Sequence, residues 1–163
     1  MYFYSFFNHF LEQFRGTLFR QTMFAEFEKM THEMVENSEA LTPDVLCEIY
    51  YNLNKKYFGE NIHVDEEIAM EWARIPHFYN AFYVYQYATG FSAAIAISKA
   101  ILAGNNEVKE GYFKFLKSGS SMYPIDLLKL CNVDMTTTKP VEDALKVFEG
   151  LLDEFQEVMN EFK

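Results

Sequence analysis

The chain has 163 residues, of which 50% are hydrophobic and 18% aromatic, and its formal net charge is −10. This length is typical of one domain with a substantial core, and the composition excludes a disordered or low-complexity chain. The negative charge excludes nucleic acid as a favoured partner, because phosphate binding needs a basic surface. No run approaches the roughly 18 uncharged apolar residues of a membrane span, and residues 1–10 lack the features of a signal peptide. We therefore expect a cytoplasmic protein with no membrane partner.

The N-terminal part of the chain predicts one long amphipathic helix. From Phe6 to about Glu36, apolar residues recur at helical spacing, and Gly16 weakens the pattern without ending it. One face of this helix carries the aromatic residues Phe3, Phe7, Phe10 and Phe14. We expect this face to be exposed in the isolated chain and to drive self-association, because a bare apolar patch favours burial against a partner.

The rest of the chain is divided into helices by proline, threonine and glycine. Thr42 and Pro43 have the residue types of a helix start, and Gly59 that of a helix end. Further helices are predicted over residues 65–73, 79–102, 108–116, 125–131 and 141–162. No strand-like alternation, internal repeat or linker is present. The fold class is therefore predicted to be all-α, as a single helical unit over residues 1–163.

The metal-binding patterns in this sequence are incomplete. Residues 32–36, HEMVE, begin like a zinc-binding HExxH motif but have Glu where the second His is required. The other histidines show no ligand spacing: His9, His63 and His77. Cys47 and Cys131 are far apart and lie in apolar helical contexts, which is typical of reduced core thiols. We predict no metal site and no bound cofactor in this chain.

Residues 75–90 are the most informative segment, because they combine one imidazole with several phenols after a proline. The side chains concerned are His77, Tyr79, Tyr83, Tyr85 and Tyr87. Such groups can donate hydrogen bonds to a carbonyl oxygen that gains negative charge during acyl transfer. The alternative is that Tyr79, Tyr83 and Tyr87, spaced by four residues, form a core-facing helical stripe. Buried phenols each need a hydrogen-bond partner, which favours a wet cleft over a dry core.

Four ordered groups of residues are similar to a known family. They are Phe14–Glu28; Ala73–Tyr79 with Phe82–Tyr85 and Tyr87–Gly90; Phe115–Gly119; and Val133–Thr136. In these segments the chain resembles the C-terminal part of the oligoendopeptidase F family, which belongs to the thimet-oligopeptidase-like zinc metallopeptidases. The resemblance extends from about Leu11 over nearly all of the remaining chain.

The resemblance implies the C-terminal helical part of a larger catalytic domain that hydrolyses oligopeptides. It assigns binding of the substrate carbonyl to His77, Tyr79, Tyr83, Tyr85 and Tyr87, with His77 and Tyr85 stabilising the transition state. It also implies zinc in the intact enzyme, bound by an HExxH helix and a further glutamate that precede the matched part. That N-terminal part of the catalytic domain is absent here, and it is the expected partner of this chain.

Two functions follow as alternatives. In the first, the chain is a C-terminal fragment of such a peptidase, supplies the wall that binds the substrate carbonyl, and is inactive alone. In the second, it is a stand-alone helical peptide-binding or scaffold protein that has lost hydrolysis.

Overall fold

The structure is a computed structural model that describes residues 2–161, with side chains for residues 7–160. Over the described residues it is helical with no strand, which confirms the all-α fold class. The α-helices are α1 (Tyr2–Gln13), α2 (Arg20–Glu36), α3 (Pro43–Phe58), α4 (Tyr85–Leu102), α5 (Asn106–Ser118), α6 (Pro124–Lys129) and α7 (Lys139–Glu161). Three further segments are a π-helix (Phe14–Phe19) and two 3-10 helices (Glu66–Arg74 and Pro76–Tyr79). None of the helices within residues 2–161 combines the length and apolarity needed to cross a membrane.

Two compact units make up the described chain. One comprises the described parts of Met1–Leu18 and Thr89–Lys163, and its core includes Ala93, Ile97, Val108, Cys131 and Val133. The other is Phe19–Ala88, with a core of Met23, Phe24, Phe27, Tyr50, Leu53, Ile75 and Val84. The second unit contains all five predicted substrate-binding residues. The single domain predicted over residues 1–163 stays a prediction.

The predicted N-terminal helix is interrupted. The π-helix Phe14–Phe19 separates α1 from α2 at the place where Gly16 lies, because glycine lets the backbone depart from α geometry at little steric cost. Phe7 and Phe14 are both buried, and the ring of Phe14 packs against Phe91 at 4.9 Å and Phe148 at 5.3 Å. The exposed aromatic face predicted for this helix is therefore wrong for Phe7 and Phe14, while the side chain of Phe3 lies outside the described residues. Self-association stays a prediction.

Helix α3 begins and ends at the predicted residues. The Thr42 side chain accepts a hydrogen bond of 3.3 Å from the backbone N–H of Val45, and Pro43 is the first helical residue. Gly59 follows the helix with φ +78°, a conformation that favours glycine. Apart from the helix predicted over residues 79–102, the remaining predicted helices form within a few residues of their expected bounds. The predicted end of the last one, Phe162, lies outside the described residues.

The predicted helix over residues 79–102 is wrong at its start. Pro76–Tyr79 forms a short 3-10 helix, residues 80–84 form a turn, and α4 begins only at Tyr85. Within the turn Phe82 has φ +58°, which no α-helix contains. Sequence periodicity did not show this break because the turn contains neither glycine nor proline.

Candidate functional site

Three of the five predicted site residues form one group, which we call the ring cluster: His77, Tyr83 and Tyr87. The His77 and Tyr83 rings are stacked with centroids 5.8 Å apart, and Tyr87 meets both rings edge to face at 5.8 and 5.5 Å. The Tyr87 hydroxyl lies 3.4 Å from Nε2 of His77 and donates a 3.4 Å hydrogen bond to the Tyr83 hydroxyl. An imidazole and two phenols are therefore held side by side.

All five predicted residues are exposed to solvent. The exposed fraction is 86% for Tyr79, 50% for Tyr85, 40% for Tyr83 and 37% for Tyr87, and His77 is exposed as well. Residues 80–84 are not helical, so Tyr79, Tyr83 and Tyr87 do not form the core-facing stripe of the alternative interpretation. Tyr79 is not part of the ring cluster, and Tyr85 starts α4 beside it in sequence.

The hydrogen bond within the ring cluster affects the acidity of Tyr87. The bond to Tyr83, aided by desolvation, raises the pKa of the Tyr87 phenol above its ordinary value. Tyrosine is protonated at neutral pH even at its ordinary pKa, so this rise leaves the form of Tyr87 at neutral pH unchanged. The one O–H of Tyr87 is donated to Tyr83.

Two apolar residues within the segment that carries the cluster hold it against the core. The Phe78 ring packs against Phe24 at 5.4 Å and Phe27 at 5.3 Å. Val84 is fully buried in the same core. Phe78 and Val84 both pack into the core, and the residues between them, including Tyr83, are exposed at the surface.

A buried glutamate, which the sequence analysis did not single out, contacts the middle of this segment. Glu28 is only 4% exposed, and its Oε1 accepts a 2.8 Å hydrogen bond from the backbone N–H of Phe82. A signal for it exists in the sequence, since Glu28 falls on the apolar face of α2 that Phe24, Phe27 and Thr31 define at helical spacing. A carboxylate in such a position needs a specific partner.

A second buried carboxylate, also not predicted, lies in the 3-10 helix that precedes Pro76. Oε1 of Glu71 accepts hydrogen bonds from Arg20 at 2.7 Å and Arg74 at 2.5 Å, and Oε2 accepts one from Tyr50 at 2.7 Å. Burial acts to raise the pKa of Glu71, but the hydrogen bonds from Tyr50 and Arg20 and the nearby positive charges outweigh it and lower the pKa. This network links α2, α3 and the 3-10 helix directly before the site.

The described residues do not fit a zinc site. Among them, no three His, Cys, Asp or Glu side chains lie together in an arrangement that could hold a metal ion. The His32 ring, from the HExxH-like stretch, packs against the Phe82 ring at 4.5 Å. Cys47 and Cys131 are free thiols, and burial raises the pKa of Cys131.

Comparison with known proteins identifies a matching family model and several similar sequences. The family model described as "Peptidase family M3" matches residues 5–147. Oligopeptidase PepF of Bacillus subtilis is 56% identical over 96% of this chain and 23% of its own length. Chromosomal oligoendopeptidase F of Lactococcus lactis subsp. cremoris is 46% identical over 93% of this chain and 25% of its own length. The chain therefore spans about a quarter of the length of these curated relatives.

A solved structure is similar in fold as well as in sequence. The crystal structure of oligoendopeptidase-F from Enterococcus faecium superposes with a TM-score of 0.94 at 46% identity. The match covers 97% of this chain and 30% of that one.

Proposed function

Since this chain belongs to peptidase family M3, we propose that it supplies the wall that binds the substrate carbonyl in an oligoendopeptidase F-like zinc metallopeptidase. The family match confirms the resemblance drawn from the sequence. The relatives bear the names of oligopeptidases and oligoendopeptidases, which supports an oligopeptide as the substrate of the whole protein.

The observation that carries this proposal is the ring cluster. It presents an imidazole and two phenols to solvent within hydrogen-bonding distance of one another, on a segment held to the core by Phe78 and Val84. When the carbonyl of a peptide bond is attacked, its oxygen becomes negative, and donors already in place need no reorganisation to stabilise it. Following the family resemblance, we assign this role to His77 of the ring cluster and to Tyr85, which starts α4 beside it in sequence, with Tyr79, Tyr83 and Tyr87 binding the peptide around them.

Zinc and the remaining catalytic groups belong, in this proposal, to the part of the whole protein that this chain does not span. That part is also the proposed partner of the chain in the catalytic domain. The cytoplasm is the proposed location. The two free thiols support it, because disulfides form in oxidising compartments and are rare in the cytosol.

We expect the isolated chain to show no peptidase activity, because it spans only about a quarter of the relatives that carry the activity. The measurement is cleavage of a fluorogenic oligopeptide with and without a chelator, together with zinc analysis. Chelator-sensitive cleavage with one tightly bound zinc per chain would contradict the expectation. The alternative of a stand-alone scaffold predicts instead that this chain alone binds oligopeptides without cleaving them.

In the whole protein, His77→Ala and Tyr85→Phe are each expected to lower kcat by roughly 100-fold, the usual effect of removing one oxyanion donor. Zinc content should stay unchanged, since neither residue is assigned to the metal. The matched control is Tyr123→Phe, which removes the hydroxyl of a tyrosine that is 81% exposed and belongs to no part of the proposed wall. Wild-type kcat in both site variants would instead give these residues a structural role.

A further inference from the structure

Glu28 is buried in a way that stability alone does not explain. Its Oε1 accepts one hydrogen bond, and its Oε2, which is also buried, has no hydrogen-bond partner among the described residues. A carboxylate taken out of water with so few partners is unfavourable for folding, and an apolar side chain of similar size would suit the site better. The benefit of keeping a carboxylate here must therefore lie in what its one bond does.

That bond determines the path of the chain at Phe82. In a continuous helix the N–H of Phe82 would donate to the carbonyl of Phe78, but here it donates to Glu28. Phe82 takes φ +58°, which is unfavourable for a bulky residue and persists only where the surroundings impose it. The Phe82 side chain is half exposed and packs against the exposed ring of His32 at 4.5 Å, so its burial contributes little to holding this conformation.

The ring cluster depends on this turn for its geometry. The turn is closed by the N–H of Tyr83, which donates to the carbonyl of Asn80 at 3.2 Å. His77 lies before the turn and Tyr83 directly after Phe82, yet their rings are stacked at an interplanar angle of 11°. A helical path from residue 79 to 83 would point Tyr83 in another direction relative to His77.

We propose that Glu28 is a positioning residue that holds the left-handed turn at Phe82 and thereby sets the stacking of His77 on Tyr83. In this proposal Glu28 acts through the turn and not through contact with the substrate. The catalytic consequence rests on the proposed function, whereas the structural consequence does not.

The first test measures the structure of this chain by NMR in Glu28→Met and Glu28→Gln. Met has a similar length without an oxygen, so the chain should fold with an unchanged or higher Tm. The hydrogen-exchange rate of the Phe82 amide should nevertheless rise by roughly tenfold or more over the wild type, because its acceptor is gone. The exchange rates of the slowest core amides should not rise with it. Nuclear Overhauser contacts between His77 and Tyr83 should weaken. Gln keeps an acceptor oxygen, so the exchange rate of the Phe82 amide in Glu28→Gln should stay within about threefold of the wild-type rate.

The matched control is Glu26→Met on the same helix. The Glu26 carboxylate also bonds across elements, to Lys56 at 2.6 Å and Tyr57 at 2.9 Å, but not to the turn. Loss of the Glu26 carboxylate should change Tm without a specific change in the hydrogen exchange of the Phe82 amide. Unchanged exchange at Phe82 in Glu28→Met, or equal acceleration at all amides, would overturn the proposal. If Glu28→Met does not fold, the proposal is tested with Glu28→Gln alone. Fast hydrogen exchange of the Phe82 amide in Glu28→Gln would overturn the proposal.

The second test measures kcat in the whole protein. Glu28→Met should lower kcat by roughly tenfold with a smaller change in KM, and Glu28→Gln should restore most of it. If His77→Ala leaves kcat unchanged, the proposed function fails while the NMR result on Glu28 stands. If His77→Ala lowers kcat and Glu28→Met does not, only the catalytic role of Glu28 fails.

Discussion

Gly111→Ala is expected to lower the free energy of unfolding by about 3 kcal/mol or more, because a side-chain atom does not fit at this position. A Cβ on Gly111 would lie 1.8 Å from the carbonyl oxygen of Leu130, which is part of the backbone at the end of α6. Unlike the tip of a flexible side chain, this oxygen cannot move without moving α6 and the buried Cys131 that follows it. Urea unfolding of the chain, followed by far-UV circular dichroism, measures the change.

Gly150→Ala is the matched control, because it makes the same substitution in another helix. A Cβ on Gly150 meets no atom within 4 Å. Alanine favours the helix over glycine by about 1 kcal/mol, so this variant should be more stable than the wild type. If both substitutions changed the free energy of unfolding in the same direction, the close contact between α5 and α6 would not be the cause of the change in Gly111→Ala.

Glu71→Ala is expected to lower the free energy of unfolding by about 3 kcal/mol, since it breaks a buried charged network from one side. Its loss would leave the buried Tyr50 hydroxyl without its acceptor and Arg20 without its partner. Glu67→Ala is the control, because Glu67 lies in the same 3-10 helix but is exposed. That variant should stay within about 0.5 kcal/mol of the wild type. An equal loss in both variants would contradict the expectation.

The same network gives a pH dependence with a defined sign. The folded-state pKa of Glu71 is lowered from its ordinary value of 4.5. Its contribution to stability is therefore fully present above the unfolded-state pKa and is lost as the pH falls through the lower folded-state pKa. The difference in unfolding free energy between wild type and Glu71→Gln should shrink when urea unfolding is repeated at increasingly acidic pH. A difference that stays constant on acidification would show that folding does not lower the pKa of Glu71.

The sequence by itself determined the features that depend on neighbouring residues. The ends of α3 follow from Thr42 and Gly59, because a capping side chain and a left-handed glycine act within one turn of helix. The all-α class follows from the period of the apolar residues along the chain. The sequence also singled out residues 75–90, since one imidazole and several phenols lie together there, and their functional role stays a prediction.

Only the tertiary structure decided how that segment is shaped. Glu28 and Phe82 are 54 residues apart, and Arg20 and Glu71 are 51 residues apart, so no local pattern pairs them. The late start of α4 has the same origin, because a distant carboxylate takes the N–H that a helix would use. The burial of Phe14 depends on Phe91 and Phe148, which are also remote in sequence. Periodicity indicates that a face is apolar. Which atoms cover that face, and which buried side chain bends the chain, is decided only when distant segments pack together.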